Sequence, residues 1–288
     1  MLNVKVRVEN LNFSYHNRNV LNVTEAKFEK GKAYGIVGKN GTGKTTFFKC
    51  LVNIIVNYDG RVLIDDEDVR ANPKMLGNVG IVLDDMNLYR NRSGMFNIRY
   101  FSGLRGGVDE ERILELAREL GIDRSLGRNV AKYSLGMKKK LQLLISLMNE
   151  AEVLIFDEPF RGLDAGTVEW FRAHLLGLKE QGRTILISSH VQEDIEAISD
   201  YVLLLENGDF VREFDLLDKA QEFIYTVDVN DNESLLKLLE DVEYKELGDS
   251  VQFVLNEQEY RELFKKAVAS DIEFYQIKKE SQFAKFVK

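Results

Sequence analysis

The chain opens with strand-like alternation of apolar and polar residues. Val4, Val6 and Val8 alternate with Lys5 and Arg7, and this period of two predicts a strand with one buried face. Further strands are predicted at residues 13–15, 26–28, 33–37 and 61–64, and a helix at residues 45–55. The first sixty residues are therefore expected to be mainly β-structure, interrupted by one glycine-rich turn and a helix.

Helical periodicity replaces this alternation in the middle of the chain. Apolar residues there recur at intervals of three and four, which places them on one face of a helix. The two clearest faces comprise Ile113, Leu116, Ala117 and Leu120, with Gly121 as the stop, and then Met137, Leu141, Leu144, Ile145 and Met148. Apolar runs at 153–156 and 185–187 flank another such helix. Strand, helix and strand in this order predict parallel strands joined by a crossover helix.

The pattern of apolar and polar residues changes again at about residue 217. Asn207 and Gly208 predict a hairpin turn just before this point, and short alternating strands with two amphipathic helices follow it. We predict a main domain at residues 1–216, with a helical subdomain at about 86–150, and a small α+β accessory domain at 217–288. No motif in the accessory domain indicates chemistry, which favours a packing or regulatory role.

Composition narrows the class of protein. Of 288 residues, 44% are hydrophobic and 30% are charged, which is typical of a globular protein. A net charge of −8 argues against bulk nucleic acid as the main partner. The single cysteine, Cys50, excludes a disulfide framework and a cysteine-based zinc site. Neither a membrane-spanning apolar run nor an apolar signal core is evident, so a cytosolic α/β chain is expected.

Residues 38–45 fit the pattern G-x-x-x-x-G-K-T, directly after an apolar strand and before a helix. This context indicates a phosphate-binding loop, because glycines let backbone N–H groups surround an anion and the helix N-terminus adds partial positive charge. Lys44 would reach the β- and γ-phosphates of a nucleotide. Thr45 would offer its hydroxyl to Mg²⁺, and Thr46 would lie near the α-phosphate.

Two carboxylates, Asp157 and Glu158, end a second apolar strand. Such a pair is often only part of a solvated loop, but the phosphate loop upstream favours a role in catalysis. Asp157 can then hold Mg²⁺ through its water shell, and Glu158 can orient and deprotonate the attacking water.

Several ordered motifs resemble those of the ATP-binding subunits of ABC transporters, from about residue 3 to residue 215. Residues 133–137, Y-S-L-G-M, stand where that family has its signature sequence, and residues 161–164, R-G-L-D, resemble its D-loop. His190 resembles the switch histidine, and Tyr15 resembles the aromatic residue on which adenine stacks. The resemblance implies an α/β fold: a P-loop NTPase core with an antiparallel β subdomain and a helical subdomain, plus the small C-terminal appendage.

The resemblance also implies a mechanism in which two subunits sandwich two ATP molecules. The predicted nucleotide-binding residues are Tyr15, Gly38, Lys39, Asn40, Gly41, Thr42, Gly43, Lys44, Thr45 and Thr46, with Ser134 and Gly136 acting in trans. Lys44, Glu158 and His190 are the predicted catalytic residues, and Asp164 belongs to the D-loop. The predicted Mg²⁺ ligands are Thr45, Asp157 and, directly or through water, Asp84.

Three departures from the family pattern affect this interpretation. Asp84 stands where the family has a glutamine that ligates Mg²⁺, and it is shorter and charged. In the signature segment Leu135 replaces a glycine and Met137 a glutamine, but Ser134 and Gly136 are retained. Phe160 replaces a small polar residue near the D-loop. These changes concern the turnover rate more than the function.

The favoured function is an ATPase subunit that powers export through a separately encoded polytopic membrane permease. It would act at the cytoplasmic face of the cell membrane, as a homodimer or a heterodimer, without nucleic acid. Leu88, Tyr89, Met95 and Phe96, within the segment 86–100, are predicted to line the permease groove, although helical-core packing competes for the last two. The alternative is a soluble ABC ATPase acting on DNA or the ribosome. A P-loop kinase or GTPase would not explain the signature segment or His190.

Overall fold

The computed structural model describes residues 3–84, 86–104, 106–107, 109–218, 220–240 and 242–287. The strands are β1 Val4–Tyr15, β2 Arg18–Glu29, β3 Ala33–Val37, β4 Asp59–Ile64, β5 Glu67–Asp68, β6 Val79–Val82, β7 Val153–Asp157, β8 Thr184–Ser188, β9 Tyr201–Glu206, β10 Asp209–Asp215, β11 Glu222–Val229, β12 Tyr244–Leu247, β13 Ser250–Asn256 and β14 Phe274–Ser281. The helices are α1 Lys44–Leu51, α2 Gly94–Gly103, α3 Glu110–Glu119, α4 Leu135–Leu147, α5 Ala165–Glu180, α6 Gln192–Ile198, α7 Asn232–Leu238 and α8 Glu257–Ala269. None of these helices is long and apolar enough to cross a membrane.

Two sheets build the first unit, which comprises residues 1–214 together with 287–288. An antiparallel sheet has the order β2-β1-β4-β5, and a larger sheet has the order β10-β9-β3-β8-β7-β6. In the larger sheet β9, β3, β8, β7 and β6 run parallel, as the strand–helix–strand pattern predicted. The carboxyl ends of β3, β7 and β8 therefore meet at one edge, which is where open α/β sheets bind ligands.

One buried core holds these two sheets and α1 together. Its largest fully buried side chains include Phe28, Phe47, Phe48 and Leu51. Cys50 lies in this core and is buried. Burial of a side chain of this size contributes about 1.5–3 kcal/mol relative to exposure, so the apolar face of α1 fixes the helix against the sheet.

Helix α1 is shorter than the sequence predicted. It ends at Leu51 rather than continuing to residue 55. Asn53 adopts a left-handed conformation, with φ of 58°, and the N–H groups of Asn53 and Ile54 donate to the carbonyls of Cys50 and Lys49. This arrangement satisfies the last carbonyls of the helix and turns the chain away.

Lys5 also differs from the expectation, because it is buried although it lies on the polar face of the alternating pattern. Its ammonium donates to Asp65 at 2.6 Å and to Glu152. Burial alone would lower the pKa of Lys5, but the hydrogen bonds to the two carboxylates outweigh this effect and raise the pKa. The side chain therefore joins the antiparallel sheet to the loop before β7 as a compensated charge.

The second unit, residues 215–286, has the element order β11-α7-β12-β13-α8-β14 and the sheet order β12-β13-β11-β14. All of its strand pairs are antiparallel, which gives the split βαβ topology of ferredoxin-like folds. Val227, Val251, Phe253 and Leu255 on the sheet pack with Leu235 and Leu263 of the helices. Strand β12 was not predicted, because all four of its residues are exposed and show no alternation.

Candidate functional site: a nucleotide pocket at the ends of the parallel strands

The phosphate loop needs glycine for two different reasons, a close approach of the backbone and a left-handed φ. A Cβ on Gly38 would lie 2.3 Å from the carbonyl oxygen of Leu205, so no side chain fits there. Gly43 has a φ of 109°, which is unfavourable for residues with a side chain. The loop leads directly into α1, so its backbone N–H groups and the start of that helix together suit an anion.

Lys44 points back into this loop. Its ammonium donates to the carbonyls of Gly38 at 2.5 Å and Lys39 at 3.3 Å. The residue is 9% exposed, and burial lowers its pKa, although Glu158 and Asp157 oppose this effect. A cation held this close to the loop is placed to neutralise phosphate charge.

Asp157 receives two short hydrogen bonds at the end of β7. Oδ2 accepts from Thr45 Oγ at 2.5 Å, and Oδ1 accepts from Ser188 Oγ at 2.6 Å. No group of three or more His, Cys, Asp or Glu side chains suited to a metal occurs in the described part of the chain. The hydroxyl and carboxylate at Thr45 and Asp157 nevertheless fit Mg²⁺, which takes one or two carboxylates plus water and substrate phosphates.

Glu158 is held in an unusual backbone conformation beside His190. Its φ is 50°, and its N–H donates to the carbonyl and to the hydroxyl of Ser188, both at 3.2 Å. One carboxylate oxygen accepts from the His190 N–H at 3.3 Å, and the other lies 3.2 Å from His190 Nε2. Burial raises the pKa of Glu158, and Asp157 adds to the increase, whereas His190 and Lys44 lower it. The net rise in pKa increases the affinity of the Glu158 carboxylate for a proton, which suits a general base.

These groups line one cavity of 460 Å³. The lining residues are Val20, Asn40, Gly41, Gly43, Lys44, Thr45, Thr46, Asp84, Asp157, Glu158, Arg161 and His190. The structure thus brings together residues that were predicted from four separate parts of the sequence. Val20 and Ser188 were not predicted, and Arg161 was predicted as part of the D-loop motif but not as a cavity residue. A pair of hydroxyl residues, Ser188 and Ser189, directly before His190 was a usable signal for Ser188, but nothing local marked Val20.

Seven other predicted residues do not line this cavity. Three of them, Gly38, Lys39 and Thr42, belong to the phosphate loop itself, and the remaining four lie outside the loop. Tyr15 is 48% exposed at the end of β1, with its ring edge-on to Phe13. Ser134 caps α4 by accepting from the N–H of Met137 at 3.2 Å. A Cβ on Gly136 would lie 2.8 Å from the carbonyl oxygen of Gly162, so this glycine allows the helix start to approach the D-loop. Asp164 caps α5 and pairs with Lys140 at 2.8 Å.

Asp84 lies in the cavity wall within a cluster of opposite charges. Its carboxylate accepts from Arg161 at 3.3 Å and lies 4.0 Å from the ammonium of Lys139. Lys139 is buried, whereas the Arg161 side chain is 70% exposed. The negative charge of Asp84 is thus balanced by two cations of the same chain.

The predicted groove residues differ in how exposed their side chains are. Leu88 is buried, at 8% exposure, so the prediction that it is exposed was wrong: it follows a polar loop but turns inward. Tyr89 and Phe96 are 45% and 39% exposed, and their rings lie edge to face at 6.0 Å. Tyr100, also exposed, contacts Tyr89 at 4.8 Å. The exposed part of this segment is therefore an aromatic cluster of Tyr89, Phe96 and Tyr100.

The fold and the site define a P-loop nucleoside triphosphatase. The loop follows one parallel strand, and the acid pair and the histidine follow two neighbouring strands at the same edge.

Comparison with known proteins identifies the family. The ABC transporter family model matches residues 21–161. The bacitracin transport ATP-binding protein BcrA of Enterococcus faecalis is 34% identical over 239 residues, which are 82% of this chain and 78% of the relative. The lantibiotic transport ATP-binding protein SrtF of Streptococcus pyogenes is 32% identical over 75% of this chain and 94% of its own length. A solved structure of an ATP binding subunit of an ABC transporter superposes with a TM-score of 0.69 at 25% identity, over 74% of this chain and 90% of that chain.

The chain belongs to the ABC transporter ATP-binding proteins. It binds ATP and hydrolyses it to power transport, and the predicted family, fold class and ATPase activity are confirmed. The soluble alternative acting on DNA or the ribosome is not favoured.

Proposed function

We propose that this chain pairs with a second ATP-binding subunit at the cytoplasmic face of the cell membrane and drives export through a polytopic permease. Relatives named for bacitracin and for lantibiotic transport support a substrate of that kind. The observation that carries the proposal is the convergence of Lys44, Thr45, Asp157, Glu158 and His190 on one cavity.

Lys44 neutralises the β- and γ-phosphates of ATP, and the glycine loop binds them through its N–H groups. Thr45 and Asp157 would hold Mg²⁺, with Asp84 contributing directly or through water. The metal would supply positive charge that offsets the negative charge of the phosphates. The 2.5 Å contact between the Thr45 hydroxyl and the Asp157 carboxylate supports this assignment, because both oxygens already face the same point.

Glu158 acts as the general base for the attacking water, and His190 holds Glu158 in line and contacts the γ-phosphate. Two features support this division. Burial keeps the pKa of Glu158 raised, so the carboxylate retains affinity for a proton. The N–H and the ring of His190 each face one of the two carboxylate oxygens, which restricts their rotation.

Ser134 and Gly136 contact the nucleotide of the partner subunit, and Tyr15 stacks on adenine. Ser134 is exposed at the start of α4, where unpaired helical N–H groups favour an anion. Tyr15 presents an exposed ring. The pairing can be homodimeric or heterodimeric, with ATP bridging the subunits.

The test separates ATP binding from hydrolysis. Glu158→Gln keeps the size and hydrogen-bonding capacity of the side chain but cannot take the proton. We expect ATP–Mg²⁺ binding close to that of the native chain, turnover lower by about 10²–10⁴-fold, and an ATP-dependent dimer in sedimentation, alone or with the permease.

Adding Ser134→Arg should dissolve that dimer and leave ATP binding unchanged, because the arginine adds bulk to the surface that meets the partner. Ser270→Arg, at an exposed serine of the second unit, is the control for the added charge. Native turnover in Glu158→Gln would show that the base is wrongly assigned. A slow variant that never dimerises, even with its permease, would refute the contacts in trans.

A further inference from the structure

Two consecutive lysines of α4 contact the segment that joins β7 to α5. The ammonium of Lys139 donates to the carbonyl oxygen of Glu158 at 3.2 Å. The ammonium of Lys140 lies 2.8 Å from the carboxylate of Asp164. The signature helix is therefore attached to both ends of the segment 158–164, at the base and at the D-loop aspartate.

The position of Lys139 is costly for a charged group. Its side chain is 6% exposed, and burial lowers its pKa, while Asp84, Asp157 and Glu158 act in the opposite direction. Lysine is rarely buried unless it is paired. The carboxylate of Asp84, 4.0 Å from the Lys139 ammonium, supplies the nearest opposite charge. The acidic residue at position 84 therefore partly compensates the buried charge of Lys139.

The backbone that Lys139 holds is itself unfavourable. Glu158 has a left-handed φ of 50°, a conformation that residues with a Cβ adopt only where their surroundings enforce it. Ser188 binds the N–H side of this residue, and Lys139 binds its carbonyl side. The two contacts together fix the direction in which the Glu158 side chain leaves the backbone.

We propose that Lys139 is a positioning residue that couples the signature helix to the base within one subunit. A displacement of α4 moves the Lys139 ammonium, and with it the Glu158 carbonyl and the angle of the carboxylate toward water. This inference rests on the proposed function, in which Glu158 is the base. Lys139 itself touches neither ATP nor water in this scheme, so it should affect the rate of hydrolysis and not the affinity for nucleotide.

The test compares three substitutions at Lys139 with one at its half-buried neighbour. Lys139→Met keeps the length of the side chain and removes both the charge and the donor. We expect kcat to fall by about 10–100-fold, since misplacement of a catalytic group by about 1 Å costs that order of rate. The KM for ATP and the affinity for a fluorescent ATP analogue should stay within about twofold of the native values. Lys138→Met should leave all three quantities near native.

Conservative variants and a double mutant distinguish positioning from general damage. Lys139→Arg, which keeps charge and donors, should recover most of the rate, and Lys139→Gln should lie between Arg and Met. In the Glu158→Gln background Lys139→Met should cause no further loss, because its effect passes through Glu158. The series remains informative if Lys139→Met does not fold, since Arg and Gln then carry the comparison.

Three results would overturn the inference: native kcat in Lys139→Met, parallel loss of kcat and ATP affinity, or an undiminished effect in the Glu158→Gln background. Failure of the proposed function looks different, because Glu158→Gln alone would then turn over at the native rate. A slow Glu158→Gln with a fast Lys139→Met refutes only the role of Lys139.

Discussion

Ser188 should be a main support of the acid pair, although its side chain meets no nucleotide in the proposed mechanism. Its hydroxyl donates to the Asp157 carboxylate at 2.6 Å and accepts from the Glu158 N–H at 3.2 Å, and the residue is fully buried. In Ser188→Ala the Glu158 N–H keeps the Ser188 carbonyl as an acceptor, also at 3.2 Å. The substitution therefore mainly removes the hydrogen bond to Asp157, whose carboxylate is buried in a residue that is 1% exposed.

The expected magnitude follows from the charge of the partner. A hydrogen bond to a buried charged group contributes about 1.5–3 kcal/mol, against about 1 kcal/mol for a neutral pair. Ser146→Ala is the matched control, because Ser146 is equally buried and its hydroxyl donates at 2.7 Å to the neutral carbonyl of Leu143. Ser188→Ala should thus be the more destabilising substitution, by about 1 kcal/mol.

The single tryptophan provides the assay. Trp170 lies in α5 of the first unit, so its fluorescence during denaturant titration follows the unfolding of that unit. The ATPase rate is measured in parallel, and for Ser188→Ala we expect a decrease of at most about thirtyfold, the rate equivalent of about 2 kcal/mol. Ser146→Ala should retain native turnover. Equal destabilisation of the two variants, or native turnover in Ser188→Ala, would refute the proposed support of Asp157.

Two further predictions concern pH and the permease. Because burial raises the pKa of Glu158, its charged form destabilises the folded state above the raised value, and this cost disappears as the pH falls toward about 4.3, the ordinary glutamate pKa. Glu158→Gln should therefore melt higher than the native chain at pH 7, with a difference that closes at acidic pH; a difference independent of pH would contradict the shift. Tyr89→Asp and Phe96→Asp, in the exposed aromatic cluster, should abolish co-purification with the permease and spare ATP binding. Val211→Asp, at an exposed apolar residue of β10, is the control, and intact association in both aromatic variants would place the docking surface elsewhere.

The local sequence determined those features of the protein that depend only on residues close together in the chain. The phosphate loop is one contiguous segment, and residues 38–45 therefore identified it directly. Its glycines are required by the local backbone conformation and by the close approach of the neighbouring strand. Alternation of apolar and polar residues indicated the strands with one buried face. The glycine at position 121 indicated the end of α3, and in the structure Gly121 adopts a left-handed φ of 67°. The acid pair and His190 were also evident, because each directly follows an apolar strand.

Tertiary structure decided everything that depends on which distant segments become neighbours. The sequence pattern predicts that Lys5 is an exposed strand residue. In the folded chain Asp65 and Glu152 lie beside it, and these two carboxylates allow its charge to be buried. Ser188 acquires its role because β7 and β8 are adjacent and place Ser188 opposite Asp157. Lys139 looks like one of three solvated lysines on an amphipathic helix. It reaches Glu158 because α4 packs against the chain after β7, and hydrogen bonds across such distances in sequence leave no pattern in either segment.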